Sequence, residues 1–345
     1  MKSSKPLVCI CIPNFNNENT IAETLDSLVS QTYENLIIKV FDNASTDSSM
    51  KILNEYARKY HNIHVYKNDK NIGGEANFTK CIENMEGEYS TIFHSDDVYS
   101  STIIEKQVAV LQKNKDIVAV SANAFRLNGD SKECGPLYYD FPKPSDDDLV
   151  ILKSSQDLIR MVLDYGNIIN TPSVMARTEI YRDKIISFNG LDFNTSADLD
   201  VWLRMSSFGF FAVIITPLIK YRLSNSSYSF NLKKLRVEKN DYFLVIDSYL
   251  KNKDLNFKMT ERDCLNYEMQ RLLDYFLIST NIMLKGSSVS FFGYQKNYKV
   301  NFLFIRFLLK RPVFNFKVYI FFLLVYLAPK RKKILQWLYN LRYGK

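Results

Sequence analysis

The sequence predicts an α/β fold with a mostly parallel central sheet flanked by helices. Three short apolar runs, at residues 7–12, 36–41 and 89–93, have the length of buried strands, and segments of helical periodicity separate them. Each run ends in a turn rich in polar side chains. Because ligands bind at the carboxyl ends of parallel strands, we expect the three turns to converge on one crevice.

The remaining elements follow the same two periodicities. After the first run, Ile21, Leu25 and Leu28 recur at helical spacing and predict a helix packed on the sheet. Further helices are predicted at residues 50–60, 76–85, 102–112, 156–163 and 197–207, and further strands at residues 63–66, 117–121 and 211–216. An ordered segment is expected at 168–176. Glycines, prolines and acidic residues predict a surface loop over residues 128–148.

The last third of the chain differs from the rest. Helical periodicity extends over residues 232–284, and the composition then becomes basic and aromatic. We therefore divide the 345 residues into an α/β domain at 1–228, a helical region at 229–290 and a basic aromatic tail at 291–345.

The charge of the C-terminal third suggests a partner. Residues 231–345 contain 22 Lys and Arg against 8 Asp and Glu, and no acidic residue follows Asp274. Basic and aromatic residues together suit an anionic membrane surface. The apolar run at 318–328 is far shorter than the roughly 20 residues that span a bilayer, so we expect the tail to lie in the interface. A buried helical packing element is the alternative. No nucleic-acid-binding signature occurs, and we expect no nucleic-acid partner.

The cysteines and the N-terminus bear on location. The five cysteines are scattered, without the spacing of a zinc site or a disulfide framework, which favours a reducing cytoplasm. Residues 1–6 lead directly into the first strand without the apolar stretch of a secretory signal. The expected location is cytoplasmic, peripheral on the inner face of the cell membrane. The sequence leaves the oligomeric state open.

Asp96 and Asp97 follow the strand at 89–93. Carboxylates at this place can join Mg²⁺ or Mn²⁺ to substrate phosphates. The alternative is that Asp97 caps the next helix while Asp96 is solvated. In the second turn, Asp42 can accept a hydrogen bond from a nucleobase, and Asp47 is expected to cap the following helix. In the first turn, the ring of Phe15 could stack on a base or pack against the next helix.

Four motifs in this order resemble family 2 of the inverting glycosyltransferases. They are residues 8–16 with the turn Pro13-Asn14-Phe15-Asn16, residues 31–47 with Asp42, the turn Asn71-Ile72-Gly73, and His94-Ser95-Asp96-Asp97. The resemblance covers about residues 6–225. It implies the GT-A fold, a nucleotide-sugar donor linked to UDP or dTDP, and Mn²⁺ or Mg²⁺ as cofactor.

The resemblance also implies roles for individual residues. Asp96 and Asp97 would ligate the metal, and Phe15 would stand where Tyr is usual. Asp198 falls at the place of the catalytic base, where the dipole of its helix would keep it ionised. Asp200 is the competing carboxylate. The residues implied to bind substrate are Pro13, Asn14, Phe15, Asn16, Asp42, Asn71, Gly73, Ser95, Asp96, Trp202 and Arg222.

Three positions depart from the family pattern. His94 replaces the first Asp of an Asp-x-Asp-Asp motif, although neutral imidazole can also bind a hydroxyl or a metal. Ala76 stands where Arg is frequent, and Ser224 where His is frequent. Arg222 or Ser224 could compensate for that His.

We therefore expect a metal-dependent inverting glycosyltransferase that associates with a membrane surface. Its acceptor would be a lipid-linked saccharide or a polysaccharide, an inference that depends on the tail. The alternative is a non-catalytic sugar-nucleotide-binding or assembly protein of the same fold. Nucleotidyl transfer would require a Gly-rich basic loop near the N-terminus, which the sequence lacks.

Overall fold

The computed structural model describes residues 5–127, 132–137, 148–222, 236–251 and 257–284. Within these residues, ten strands form one sheet flanked by helices, which confirms the predicted α/β class. The strands are β1 (Val8–Asn14), β2 (Leu36–Asp42), β3 (Ile63–Lys67), β4 (Tyr89–Ile92), β5 (Val98–Tyr99), β6 (Ile117–Leu127), β7 (Glu133–Pro136), β8 (Leu149–Leu152), β9 (Met175–Arg177) and β10 (Phe210–Arg222). The helices are α1 (Ile21–Val29), α2 (Ser49–Lys59), α3 (Gly74–Glu83), α4 (Ile103–Lys113), α5 (Ser155–Tyr165), α6 (Gly190–Phe193), α7 (Ala197–Met205), α8 (Tyr242–Lys251) and α9 (Glu261–Leu284).

The N-terminal half of the sheet is parallel. Its order is β3-β2-β1-β4, so the chain runs outward from β1 to β3 and then returns to the other side of β1. β1 is covered on both faces, which explains its continuous apolar sequence. On one face, Ile21, Leu25 and Leu28 of α1 are fully buried. The reversal of strand order beside β1 opens a crevice at the carboxyl ends of β1, β2 and β4.

The other half of the sheet is mixed rather than parallel. β9 pairs antiparallel with β4 and β6, and β10 pairs parallel with β6 and antiparallel with β5 and β8. β10 is longer than the predicted strand at 211–216 because the register shifts on both sides of Pro217, where the lack of an N–H is tolerated. The extension brings Arg222 to the crevice. Within the predicted loop at 128–148, residues 133–136 form β7, which pairs with β6.

The described residues divide into two compact units. One comprises those within Met1–Ser227 and Leu244–Leu255, the other those within Tyr228–Phe243 and Asn256–Lys345. In the second unit, Arg236 forms an ion pair with Asp274 of α9. The helix α9 begins after Thr260, whose backbone N–H and hydroxyl exchange hydrogen bonds with Asp263. No helix among the described residues is long and apolar enough to cross a membrane. The tail at 291–345, Ser224 and the predicted boundaries at 228 and 290 lie outside the described residues.

Three of the five cysteines belong to the core. Cys9 and Cys11 of β1 and Cys81 of α3 are completely buried, whereas Cys134 and Cys264 are exposed. The Cys9 and Cys11 sulfur atoms are 3.8 Å apart, and the Cys11 thiol donates to the carbonyl of Cys81. All five are free thiols.

Gly87 permits the close approach of β4 to the start of β1. Its φ is +78°, and a Cβ there would be 2.5 Å from the carbonyl oxygen of Leu7. That oxygen accepts hydrogen bonds from the N–H groups of Glu88 and Tyr89. We predict that Gly87→Ala lowers the free energy of unfolding by about 3 kcal/mol, because a left-handed residue and a steric clash add together.

Gly166 provides a matched control. Its φ is +82°, but no atom lies within 4 Å of the position of an added Cβ. Gly166→Ala should therefore cost only about 1 kcal/mol, the cost of the left-handed backbone alone. Urea denaturation of the two variants measures the difference, and equal costs would refute the steric part of the argument.

Candidate functional site

The turns after β1 and β2 are held together by buried hydrogen bonds. Asn14 donates from Nδ2 to Oδ1 of Asp42 at 2.9 Å, and the N–H of Ser45 donates to Oδ2 of Asp42 at 2.9 Å. Asp42 is 0% exposed. The predicted contact between Asp42 and a base is therefore not available in this structure, because the carboxylate is enclosed by its own turn. Asp42 instead fixes the shape of the crevice edge.

The first turn presents Phe15 to solvent. The next residue, Asn16, has φ of +52°, a conformation that Asn adopts more readily than most residues. Asn16 is held by hydrogen bonds to the second turn, since its N–H donates to the Ser45 hydroxyl and its Oδ1 accepts from the N–H of Thr46. Phe15 is 42% exposed, so much of its surface is open to solvent. Pro13 precedes this turn as part of β1.

The third turn joins the second through amide side chains. Asn43 donates to Oδ1 of Asn71 at 2.9 Å, and the same oxygen accepts from the N–H of Gly73 at 2.8 Å. Gly73 has φ of +88° and stands immediately before α3. Asp47, as predicted, accepts a hydrogen bond from the N–H of Ser49 at the start of α2.

The turn after β4 is bonded to the segment around the start of α1. Ser95 accepts from Nδ2 of Asn17 at 2.7 Å, and its carbonyl accepts from the hydroxyl of Thr20. Inside α1, Thr24 donates to the carbonyl of Asp97. The motif residues around Asp42 and Asp96 thus border one crevice, because the β1 turn contacts both.

His94, Asp96 and Asp97 form a group that could hold a metal ion. One ligand atom from each residue lies within 4.8 Å of the other two. Nδ1 of His94 is 3.8 Å from Oδ2 of Asp97. Among the described residues, neither Nε2 of His94 nor Oδ2 of Asp97 has a hydrogen-bond partner, although both atoms are buried. Unpartnered nitrogen and oxygen ligands beside a third carboxylate fit a divalent cation.

Burial controls the protonation of this group. It raises the pKa of Asp97, and the negative charge of Asp96 raises it further, while Arg222 opposes the shift. Burial lowers the pKa of His94, against the opposing charges of Asp96 and Asp198. His94 is therefore neutral at pH 7 and retains a lone pair for a metal.

Arg222 braces the acidic turn. Its N–H donates to Oδ1 of Asp97 at 2.9 Å, and its side chain donates to the carbonyl of Asp96 and to Glu23 at 2.9 and 2.6 Å. The side chain is 8% exposed. The guanidinium was expected to bind substrate, but the structure shows it bound to protein groups, because β10 ends directly beside the Asp96–Asp97 turn.

Asp198 and Asp200, both in the first turn of α7, have different surroundings. Asp198 is half-buried, and its Oδ2 accepts from the Thr171 hydroxyl at 2.6 Å. Asp200 is 3% exposed and bonded to Arg204, Asn189 and Tyr249 at 2.8, 3.1 and 2.9 Å. Asp200 is thus committed to holding α7 in place.

Trp202 lies in the core rather than at the crevice. It is 1% exposed, and its ring contacts Phe211 of β10 with centroids 6.2 Å apart. The indole therefore packs between α7 and β10. The substrate contact expected for Trp202 is replaced by support of the helix that carries Asp198.

The sequence profile of glycosyl transferase family 2 matches residues 9–176. An uncharacterized glycosyltransferase of Haemophilus influenzae is 28% identical over 322 residues, which cover 87% of this chain and 97% of the relative. Residues 9–176 of the chain are thus assigned to glycosyl transferase family 2. A second relative is the putative teichuronic acid biosynthesis glycosyltransferase TuaG of Bacillus subtilis. It is 26% identical, and the alignment covers 71% of this chain and 89% of the relative.

A solved structure supports the same fold for this glycosyltransferase. The mannosyltransferase PcManGT of Pyrobaculum calidifontis, solved in complex with GDP-Man and Mn²⁺, aligns with a TM-score of 0.53 at 15% identity. The alignment covers 83% of this chain and 77% of PcManGT. At this identity the likeness concerns the fold alone, and it agrees with the GT-A fold that the sequence motifs imply.

Several site residues of the glycosyltransferase escaped the sequence analysis. Thr171 precedes β9 and contacts Asp198, and Glu23 of α1 pairs with Arg222. The ring of Phe78 on α3 lies against His94, with centroids 5.6 Å apart. None of these belongs to a motif. The ion pair between Asp200 and Arg204 is different, because opposite charges four residues apart on a predicted helix indicate such a pair in the sequence.

Asp97 makes the stability of the metal-free glycosyltransferase depend on pH. A carboxyl whose pKa is raised on folding ionises first in the unfolded chain, so stability falls as pH rises from about 3.8 to the raised pKa. Asp97→Asn removes this loss and can still accept from Arg222. In EDTA at neutral pH, we expect the variant to be more stable than wild type by on the order of 2 kcal/mol.

Chemical denaturation at several pH values with EDTA tests this expectation, with exposed Asp116→Asn as the control. Saturating Mn²⁺ should reverse the order of stability, because wild type gains more from ligand binding than the variant. Parallel pH profiles for wild type and Asp97→Asn would contradict the assignment.

Proposed function

We propose that this glycosyltransferase is a metal-dependent inverting enzyme. It transfers a sugar from a nucleoside-diphosphate donor to a lipid-linked oligosaccharide or a surface polysaccharide. The observation that carries the proposal is the group formed by His94, Asp96 and Asp97, because its ligand atoms lie within 4.8 Å of one another and could hold a divalent cation. A base and a metal site at one crevice are the two parts that displacement at an anomeric carbon requires.

Mn²⁺ or Mg²⁺ would be held by Asp96 and Asp97, with His94 as a further ligand. Bound there, the cation would neutralise charge that develops on the departing diphosphate. The exposed ring of Phe15 supports stacking of a nucleobase at the edge of the crevice, where Asn14, Asn16 and Gly73 shape the backbone. The GDP-Man and Mn²⁺ bound by PcManGT agree with such a donor, and UDP or dTDP remains our prediction for this chain.

Asp198 is suited to accept the proton of the acceptor hydroxyl. The Thr171 hydroxyl donates to its Oδ2 and the N–H of Leu199 donates to its Oδ1, so the carboxylate is held in a fixed position. The acceptor oxygen bonds to the anomeric carbon as its proton passes to Asp198. The bond between that carbon and the diphosphate breaks on the opposite face, so the configuration inverts.

Asp198→Asn should abolish transfer while preserving donor binding. Removal of a general base typically costs about 10² to 10⁴ in rate, and Asn can still accept from Thr171. We expect loss of at least 10²-fold in turnover with Mn²⁺, whereas titration calorimetry with UDP and Mn²⁺ should change less than twofold.

The control is Asp192→Asn, an exposed acidic residue of the preceding helix, which should leave both quantities unchanged. Unchanged turnover in Asp198→Asn would remove this residue from the mechanism. A wild-type chain that binds the donor and Mn²⁺ but neither hydrolyses nor transfers it would favour the non-catalytic alternative.

The acceptor proposal joins two observations. TuaG is named for teichuronic acid biosynthesis, which concerns a cell-surface polymer. The tail at 291–345 has the basic and aromatic composition that suits peripheral association with the inner face of the cell membrane. A membrane surface would bring the enzyme to lipid-linked saccharides.

Replacing the four basic residues at 330–333 with Gln should weaken binding to anionic vesicles. At about 1 kcal/mol for each basic residue near the surface, we expect a loss of about 10² to 10³-fold in partitioning. Co-sedimentation with phosphatidylserine-containing and purely zwitterionic vesicles measures it. The matched control replaces four exposed basic residues of the first unit, Lys51, Arg58, Lys59 and Lys67, with Gln. Equal effects of the two sets would exclude the tail as the anchor.

A further inference from the structure

An aromatic surface borders the metal-ligating group on one side. The Phe78 ring meets the His94 ring edge to face, with centroids 5.6 Å apart, and lies 5.2 Å from the ring of Phe188. Phe78 comes from α3 and Phe188 from the segment before α6, and both are only partly buried. The two rings therefore extend the crevice beyond His94 as an apolar wall.

A carboxylate without a protein partner stands beside this wall. Glu75 lies one turn before Phe78 on the same face of α3. A Cβ added to Gly190 would be 1.2 Å from its Oε2, so the carboxylate lies directly against the backbone of Gly190, two residues after Phe188. Burial raises the pKa of Glu75. Among the described residues, no hydrogen bond or ion pair compensates for that burial.

These groups together match the chemistry of a sugar ring. A pyranose offers an apolar face of C–H bonds, which packs on aromatic rings, and hydroxyl groups, which donate to a carboxylate. A phosphate is disfavoured here, because the negative charge of Glu75 would repel it. A neutral, polyhydroxylated ligand uses both the wall and the carboxylate.

We propose that Glu75, Phe78 and Phe188 form a subsite for a pyranose ring beside the metal-ligating group. Glu75 accepts hydrogen bonds from the ring hydroxyls, and the two aromatic rings cover its apolar face. The subsite rests on the proposed function, and it makes Glu75 a residue that determines sugar specificity. The ring belongs either to the donor or to the acceptor, and the two sources share this chemistry.

Gly190 gives a second way to test Glu75. Ala at this position would occupy the space of the Glu75 carboxylate, and the flexible side chain would have to move away. Gly190→Ala therefore displaces the carboxylate without removing its charge. Glu75→Gln removes the charge without a large change of shape. The matched control is Glu83→Gln, the same substitution at an exposed position near the other end of α3.

The first measurement compares the affinity for a nucleotide sugar with that for its nucleoside diphosphate, both with Mn²⁺, by titration calorimetry. The probes are UDP-glucose, UDP-N-acetylglucosamine, dTDP-glucose and GDP-mannose. The second measurement is the KM for octyl glycosides as acceptors, together with donor hydrolysis in their absence. Thermal unfolding reports whether a variant is merely less well folded.

If the ring is that of the donor, Glu75→Gln and Gly190→Ala should reduce the affinity gained from the sugar by about tenfold, the loss expected for a hydrogen bond to a charged group. If the ring is that of the acceptor, the KM for the glycoside should rise about tenfold while donor hydrolysis stays unchanged. In both cases Glu75→Gln should not lower the melting temperature, since it removes a partly buried charge for which the described residues provide no hydrogen bond or ion pair, and Glu83→Gln should have no effect.

Changes below twofold in both quantities for Glu75→Gln and Gly190→Ala would overturn the subsite. So would losses that merely follow a lowered melting temperature. A wild-type chain without transfer or hydrolysis would count against the proposed function instead, and the affinity comparison would still decide whether the subsite exists.

Discussion

The buried carboxylate of Asp97 is the group on which the arrangement of the crevice depends. A buried carboxylate is costly unless it is hydrogen-bonded, and the backbone N–H of Arg222 supplies a bond at 2.9 Å. Arg222 is the last residue of β10, 125 positions after Asp97 in the chain. This bond to the carboxylate therefore forms only when β10 has joined the sheet. The Arg222 side chain adds bonds to Asp96 and Glu23, which closes the end of the sheet onto α1.

The parallel half of the fold was predictable because its signals are local. β1, β2 and β4 are largely buried and have short sequences dominated by apolar or β-branched residues, and the helix after β1 has a clear buried stripe. The mixed half lacks such signals. β9 has three residues, too few for any periodicity, and its pairing with β4 and β6 is decided by distant parts of the chain. The predicted strand at 211–216 is too short, because β10 continues past Pro217 through a change of register.

The residues of the candidate site were likewise predictable only in part. Motif and strand position identified Asp96, Asp97 and Asp198, because polar groups at strand ends and helix starts are visible in sequence. The sequence did not indicate how deeply each side chain is buried or in which direction it points. Asp42 and Trp202 lie inside the structure that supports the crevice, although both belong to the motifs. Glu75 was passed over because its surroundings are created by Gly190, 115 positions away, through a contact that no local pattern encodes.

The five cysteines fall into two groups that differ in burial and in chemical reactivity. Cys11 and Cys81 raise the pKa values of the buried Cys9 and Cys11 thiols through hydrogen bonding, and burial adds to the effect, so these thiols stay protonated and unreactive. Cys134 lies in the first compact unit and Cys264 in the second, and both are exposed. Alkylating dyes would thus react at one position in each unit of the native protein. The wild-type chain already carries a pair of attachment points for fluorescence energy transfer.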